Sequence, residues 1–248
     1  QLLRLLPQRF QRALREDGNF VRTSVIGRLD AEGQPLWMVT ASLTDDHPAG
    51  QPTELALTPD GGIILLASYM PVPSDEGPWA SYVRRFEPDG TERWRKKFEG
   101  SGHGVRIAVA PSGNVVVAGN FQAWMTVDAL RLEGEPFTNH PFVVELNPKK
   151  GRAIRLNPIR LPASIASDEI GSNVNAMAMD GTRVVVGGYY YAHSLEHIGY
   201  FVMASDLNGA LLGENLLPVQ DDELTSGAGP ITADASDGRL AIAGSYSG

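Results

Sequence analysis

Residues 82–121 read YVRRFEPDGTERWRKKFEGSGHGVRIAVAPSGNVVVAGNF, and this stretch decides the fold. It holds two tight-turn signals, EPDG ending at Gly90 and PSGN around Gly113, each between short runs of strand-forming residues. A polar residue followed by glycine supplies the positive φ that tight hairpin turns require. The runs around the first turn alternate aromatic with charged residues, as in Tyr82 to Phe86 and Glu92 to Phe98. Those around the second, Val105 to Ala110 and Val115 to Ala118, are apolar on both faces. The first pattern suits an outer pair of strands that meets water, the second an inner pair stacked between other sheets.

Outward from this stretch, both signals recur. Outer-type turns end at Gly33 (DAEG), Gly90, Gly151 (NPKKG) and Gly209 (DLNG), each about sixty residues after the last, an internal repeat of the kind that marks propellers and solenoids. Inner-type turns fall between them at PDGG (Gly61), PSGN (Gly113), MDGT (Gly181) and SDGR (Gly238). Inner runs flank each one: Glu54 to Thr58 with Ile63 to Ser68, Asn175 to Met179 with Val184 to Gly188, and Pro230 to Ala235 with Leu240 to Ala243. Trp37 and Trp94 each stand four residues beyond an outer turn glycine, where the next two repeats carry Arg155 and Gly213. A 3.6-residue apolar period never persists between the breakers, so helices do not explain these segments. Inner pair, connection, outer pair and next unit make a four-stranded antiparallel blade, and the expected fold is an all-β propeller with four blades' worth of strands.

The 82–121 stretch, with its strand, D-G turn, Trp-containing strand, Gly-rich loop, inner strand, S-G-N turn and V-x-V-x-G strand, resembles the bacterial seven-bladed β-propeller repeat family. It is also similar to repeats of large bacterial envelope proteins. Weaker copies begin at FVVELNPKKG (Phe142) and lie around 25–69 and 200–248. The resemblance implies a propeller with a binding or structural role, in the cell envelope or secreted, and it brings no shared catalytic residues. An acidic loop before the inner strand appears as Asp45 and Asp46, Asp168 and Glu169, and Asp221 and Asp222, but the best copy has Gly102 and His103 there.

The order of turns starts on an outer pair and finishes on an inner pair. Two arrangements follow: a ring closed by a composite terminal blade, or part of a larger ring completed by further blades or a partner chain. Residues 21–248 are assigned to the propeller. Residues 1–20 are expected to form a helix or arm, because QLLRLLPQRFQRALRED places Leu2, Leu3, Leu6, Phe10 and Leu14 crudely on one face. That segment either docks elsewhere or caps the propeller edge. Starting on Gln1 suggests a processed or excised piece.

A net charge of −8 argues against nucleic acid and anionic membranes as partners, since phosphate recognition needs a basic surface. No apolar run approaches the roughly 20 residues that cross a bilayer. With no cysteine, disulfides and thiolate metal sites are excluded and the residues leave the compartment open. No cofactor motif, phosphate loop or nucleophile elbow occurs. His193, Glu196 and His197 lack the order of the metalloprotease motif and are placed in a loop with no metal assigned. The basic run RRFEPDGTERWRKKFEG reads as a solvated outer strand that discourages edge pairing.

Candidate binding residues sit in the loops of one propeller face. Asp45, Asp46, His47, His103, Asp168, Glu169, Asp221, Asp222 and Glu223 come from one set of loops; Tyr69, Phe121, Tyr189, Tyr190, Tyr191 and Tyr246 come from the other. Acids beside aromatics suit a cation, a sugar or a basic peptide. The competing explanation is structural: acids in turns cap their own backbone, and aromatics after inner strands pack between blades. The expected function is a non-catalytic binding or scaffold propeller offering this face to a protein or glycan, with the irregular loops 121–141 and 189–199 as its readers. A metal-dependent hydrolase or lyase, and a structural segment of an envelope protein, are the alternatives.

Overall fold

The computed structural model describes residues 25–40, 51–69, 80–161, 169–192, 197–218, 232–234 and 241–243. None of these residues is helical. The first described hairpin joins β1 (Val25–Leu29) to β2 (Pro35–Thr40). Three four-stranded antiparallel meanders follow. The first blade is β3 (Gln51–Leu57), β4 (Ile63–Tyr69), β5 (Ala80–Phe86) and β6 (Glu92–Lys97). After the short β7 (Glu99–Gly100), the second blade opens with β8 (His103–Val109) and β9 (Val115–Phe121). It is interrupted by a small hairpin, β10 (Trp124–Val127) and β11 (Leu130–Glu133), and completed by β12 (His140–Leu146) and β13 (Ala153–Pro158). The third blade is β14 (Glu169–Asp180), β15 (Arg183–Ala192), β16 (His197–Asp206) and β17 (Leu211–Pro218). A final hairpin pairs β18 (Thr232–Asp234) with β19 (Ala241–Ala243).

These are the blades of a β-propeller, and both turn classes lie where the glycines predict. Gly33, Gly61, Gly90, Gly113, Gly151, Gly181 and Gly209 all have positive φ. The polar residue ahead of the outer turn glycine caps its own turn. Asp30 Oδ1 accepts from the Gln34 amide at 2.7 Å, and Asp206 Oδ1 accepts from the Asn208 and Ala210 amides at 2.8 Å. The two terminal hairpins are separate two-stranded sheets. Among the described residues, the composite blade that would close a four-bladed ring is therefore not formed.

The core lies between blades, since each sheet packs its inner strand on the preceding one: β8 against β3, β4 and β5, and β14 against β8, β9 and β12. Three apolar clusters result, one for each junction. Val115, Val116 and Val117 are fully buried because sheets cover both faces of β9, which explains an apolar run with no alternation. Burying side chains of this size stabilises by about 1.5–3 kcal/mol each.

A tryptophan fastens the first two junctions. Trp37 Nε1 donates to the Pro88 carbonyl and Trp94 Nε1 to the Pro148 carbonyl, both at 2.8 Å. Each indole lies under the outer turn glycine of the next blade, so close that a Cβ on Gly90 or Gly151 would come within 2.6 Å of a ring atom. Glycine is thus required there both for φ and for space. Polar side chains also cross junctions. Glu54 accepts from the Ile107 amide, while Asn120 uses Oδ1 to accept from Val174 N at 2.8 Å and Nδ2 to donate to Val174 O at 3.3 Å.

The structure corrects the reading of the basic run. Arg84 and Arg85 on β5 are buried instead of solvated, because β5 is an interior strand of its sheet. Arg84 pairs with Glu92 and lies over the Phe86 ring, and Arg85 pairs with Asp60 and donates to the Pro148 carbonyl. Only the β6 members Arg93, Arg95 and Lys97 are exposed. The 121–141 stretch is likewise more ordered than an irregular loop. WMTV and LRLE alternate with period two around an Asp128–Ala129 turn, and the hairpin they form pairs with β7. His197, expected in a loop, opens β16; His193 lies outside the described residues.

Candidate functional site

The face opposite the glycine turns collects the loop ends. Its best-defined part lies where the second blade meets the third. Of the sequence-derived candidates, Asp45, Asp46, His47, Asp168, Asp221, Asp222, Glu223 and Tyr246 lie outside the described residues, as does the 1–20 segment. His103 opens β8, half-buried, and burial holds its imidazole below the usual histidine range. Glu169 opens β14 opposite Ala192.

Tyr189, Tyr190 and Tyr191 fall inside β15 rather than in a loop. Tyr190 is buried in the cluster between second and third blades, with its ring over Gly199. Tyr189 packs edge-on against Tyr191 at 5.4 Å, and burial, reinforced by that neighbour, pushes its phenol up to about 12. Phe121 at the end of β9 is buried, 5.4 Å from the His140 ring and 6.4 Å from Phe142.

Phe121, one of the loop candidates, and His140, from the 121–141 stretch expected to read a ligand, begin a cleft of about 470 Å³. Glu133 enters from the end of β11, and Glu135 from the connection to β12. Arg160 comes from the segment after β13, and Ser172 from β14. His140 Nε2 accepts from the Glu135 amide at 3.0 Å, which places the neutral ring's proton on Nδ1. Gly134 makes this possible, since a Cβ there would lie 2.4 Å from the imidazole. The Ile159 amide donates to the Pro141 carbonyl at 2.9 Å and holds the segment carrying Arg160 across the cleft.

A relay of amides forms the floor beside it. Gln122 Nε2 donates to Asn139 Oδ1 and Asn139 Nδ2 to Asn173 Oδ1, each at 2.8 Å, while Ser172 N donates to the Asn139 carbonyl at 2.9 Å. The Ser172 hydroxyl is buried with no protein partner.

The hairpin above the cleft is firmly based. Met125 and Val127 point into the core between first and second blades, and the Asp128 carboxylate takes the Lys96 ammonium and the Ala153 amide. Its outer face presents Trp124, with the Arg131 guanidinium 4.7 Å above the ring. Among the described residues, Ala123, Asp128 and Phe137 are the non-glycine residues with positive φ, so backbone strain concentrates in this insertion. Phe137 is 94% exposed. Among the described residues no three histidine, aspartate or glutamate side chains are placed to hold one metal ion. What the cleft offers is the His140 ring, two carboxylates and a guanidinium, groups that recognise polyhydroxylated ligands by stacking and by hydrogen bonds.

No helix among the described residues is long and apolar enough to cross a membrane. No protein-family model matches the chain, and no curated protein matches it. Similar solved structures include a protein of unknown function from Bacteroides caccae, at 14% identity and a TM-score of 0.43 over 89% of this chain. The chain spans 65% of that protein. An endo-arabinase from Bacteroides thetaiotaomicron is 13% identical with a TM-score of 0.44, covering 84% of this chain and 74% of its own. BamB from Moraxella catarrhalis is 9% identical with a TM-score of 0.34, covering 89% and 77%. Likeness at this level says nothing of activity, and the propeller architecture rests on the strand pairing itself.

Proposed function

We propose that the chain is a non-catalytic binding propeller that takes a glycan in the cleft between the β10–β11 hairpin and the third blade. The observation that carries this is the cleft itself, in which the half-buried His140 ring stands among Glu133, Glu135 and Arg160, with Phe121 and Ser172 buried in its lining. A cleft of about 470 Å³ is within the range of small-ligand sites and suits one or two sugar rings. A sugar ring stacks on the His140 imidazole while its hydroxyls meet carboxylates and guanidinium.

The test is a glycan array followed by calorimetry on the best neutral oligosaccharide. His140→Ala and Glu135→Gln are each expected to weaken binding at least tenfold, a change of about 1.4 kcal/mol. Absence of saturable binding to any glycan, or equal affinity in both variants, would overturn the proposal. A protein partner is the second reading, favoured by the nearly complete exposure of Phe137 on the same insertion. In that case Phe137→Ser would abolish partner binding while glycan affinity stayed absent.

A further inference from the structure

Strand register makes three positions equivalent: Trp37 faces Arg28, Trp94 faces Arg85 and Arg155 faces Glu145. At the first two, an indole closes the junction to the next blade, hydrogen-bonded to an outer turn carbonyl and stacked under the turn glycine. At the third, Arg155 turns instead to the buried Glu145 of its own blade. Asn157, two residues on, supplies part of what the tryptophan provides elsewhere. Its Nδ2 donates to the Leu207 carbonyl at 3.1 Å, and its side chain lies beneath Gly209. Asn157 is far smaller than an indole, and the junction is left with a cleft of about 520 Å³. Val143, Leu161, Val186, Met203 and Leu207 give it apolar walls, with Asp206, Glu214 and Arg160 among its polar lining.

We infer that this cleft is an open indole dock, a site for a small molecule bearing a flat aromatic ring with a ring N–H. The two occupied docks of the same chain specify the pose. The ring lies against the apolar walls near Gly209, and its N–H points to the Leu207 carbonyl, which keeps a lone pair free beside Asn157. The volume falls within the range of small-ligand sites. This site is separate from the proposed glycan cleft and does not depend on it, although both touch the 158–161 segment.

Saturation-transfer NMR and calorimetry on the full chain, with indole, 1-methylindole and the peptide Gly-Trp-Gly as probes, test the assignment. Indole is expected to bind saturably, and 1-methylindole, which lacks the donor, at least fivefold more weakly. Asn157→Trp, which fills the dock from its own strand, should abolish indole binding. Met203→Trp fills it from the opposite wall and serves should the first variant fail to fold, with circular dichroism reporting folding in each. No saturable binding of indole would overturn the proposal, and so would equal affinity for 1-methylindole or retained binding in a folded filled variant. Binding of Gly-Trp-Gly tenfold tighter than indole would overturn the small-molecule assignment in favour of a partner's tryptophan.

Discussion

Trp94 combines a hydrogen bond with a packing contact, and the two are separable. Trp94→Phe keeps most of the ring but loses the donor to the Pro148 carbonyl, which should cost about 1 kcal/mol in urea unfolding. Trp94→Ala also empties the space beneath Gly151 and should cost about 3–5 kcal/mol. His103 gives a pH dependence. Burial lowers its folded value below the ordinary 6.5, so the unfolded chain binds the proton more readily. The stability linked to His103 is therefore complete above about pH 6.5 and is lost as pH falls toward the depressed folded value. Thermal melts from pH 7.5 to 5 should show this loss in the wild type and a shallower slope in His103→Gln. The tryptophan repeat was legible in the sequence as a fixed offset from the glycine of its own turn, because strand register sets that spacing, whereas the glycine each indole packs beneath belongs to the next blade and was not. Of the cleft residues, Glu133, Glu135 and His140 lie in the 121–141 stretch expected to read a ligand but were not singled out within it, and Arg160 and Ser172 were not legible at all. They come from three separate segments, 133–140, 158–161 and β14, which strand pairing and the packing of third blade on second bring to one place.

At the scale of elements, the inserted hairpin shows why turn signals reveal some strands and hide others. The blade turns announce themselves through Gly, whereas β10 and β11 join through Asp128, which adopts φ of 56° without being glycine. The alternation of WMTV and LRLE was the available signal, with Met125 and Val127 inward and Arg131 and Glu133 outward. What holds an aspartate in that conformation is its carboxylate, bound to the Lys96 ammonium and the Ala153 amide. Conformation and anchoring pull in different directions on substitution. Asp128→Gly loses the anchors but relieves the backbone, and Asp128→Ala loses both the anchors and the polar group that tolerates this region. Asp128→Ala should therefore be the more destabilising, by about 1 kcal/mol beyond Asp128→Gly, as read from chemical denaturation midpoints. Equal costs would mean that the carboxylate contacts alone set the turn. The buried arginines of β5 escaped the sequence reading for a related reason. Charge in a strand signals water only if no partner awaits it, and Asp60, Glu92 and a proline carbonyl all do.

Across the whole molecule, the three junctions differ in how they are closed. The one between first and second blades has Trp94 and the packed face of the hairpin; the one between second and third has Asn157 and a cleft. Exchange of backbone amides should follow that difference. Val184, Val185 and Val186 are as deeply buried as Val115, Val116 and Val117, yet they are expected to exchange faster in native-state hydrogen exchange by at least tenfold. Similar rates would show that the blades open as one unit. The contacts of Asn120 and Glu54 add a consequence of another kind. An inner strand such as β14 is an edge of its sheet, and its outward amides and carbonyls could recruit a strand from another molecule. The Asn120 amide group occupies both polar groups of Val174 as a neighbouring strand would, and the Glu54 carboxylate occupies the Ile107 amide of β8. The first blade thus seals the edge strand of the second and the second that of the third, so the side chains that join neighbouring blades also fill the groups an incoming strand would need.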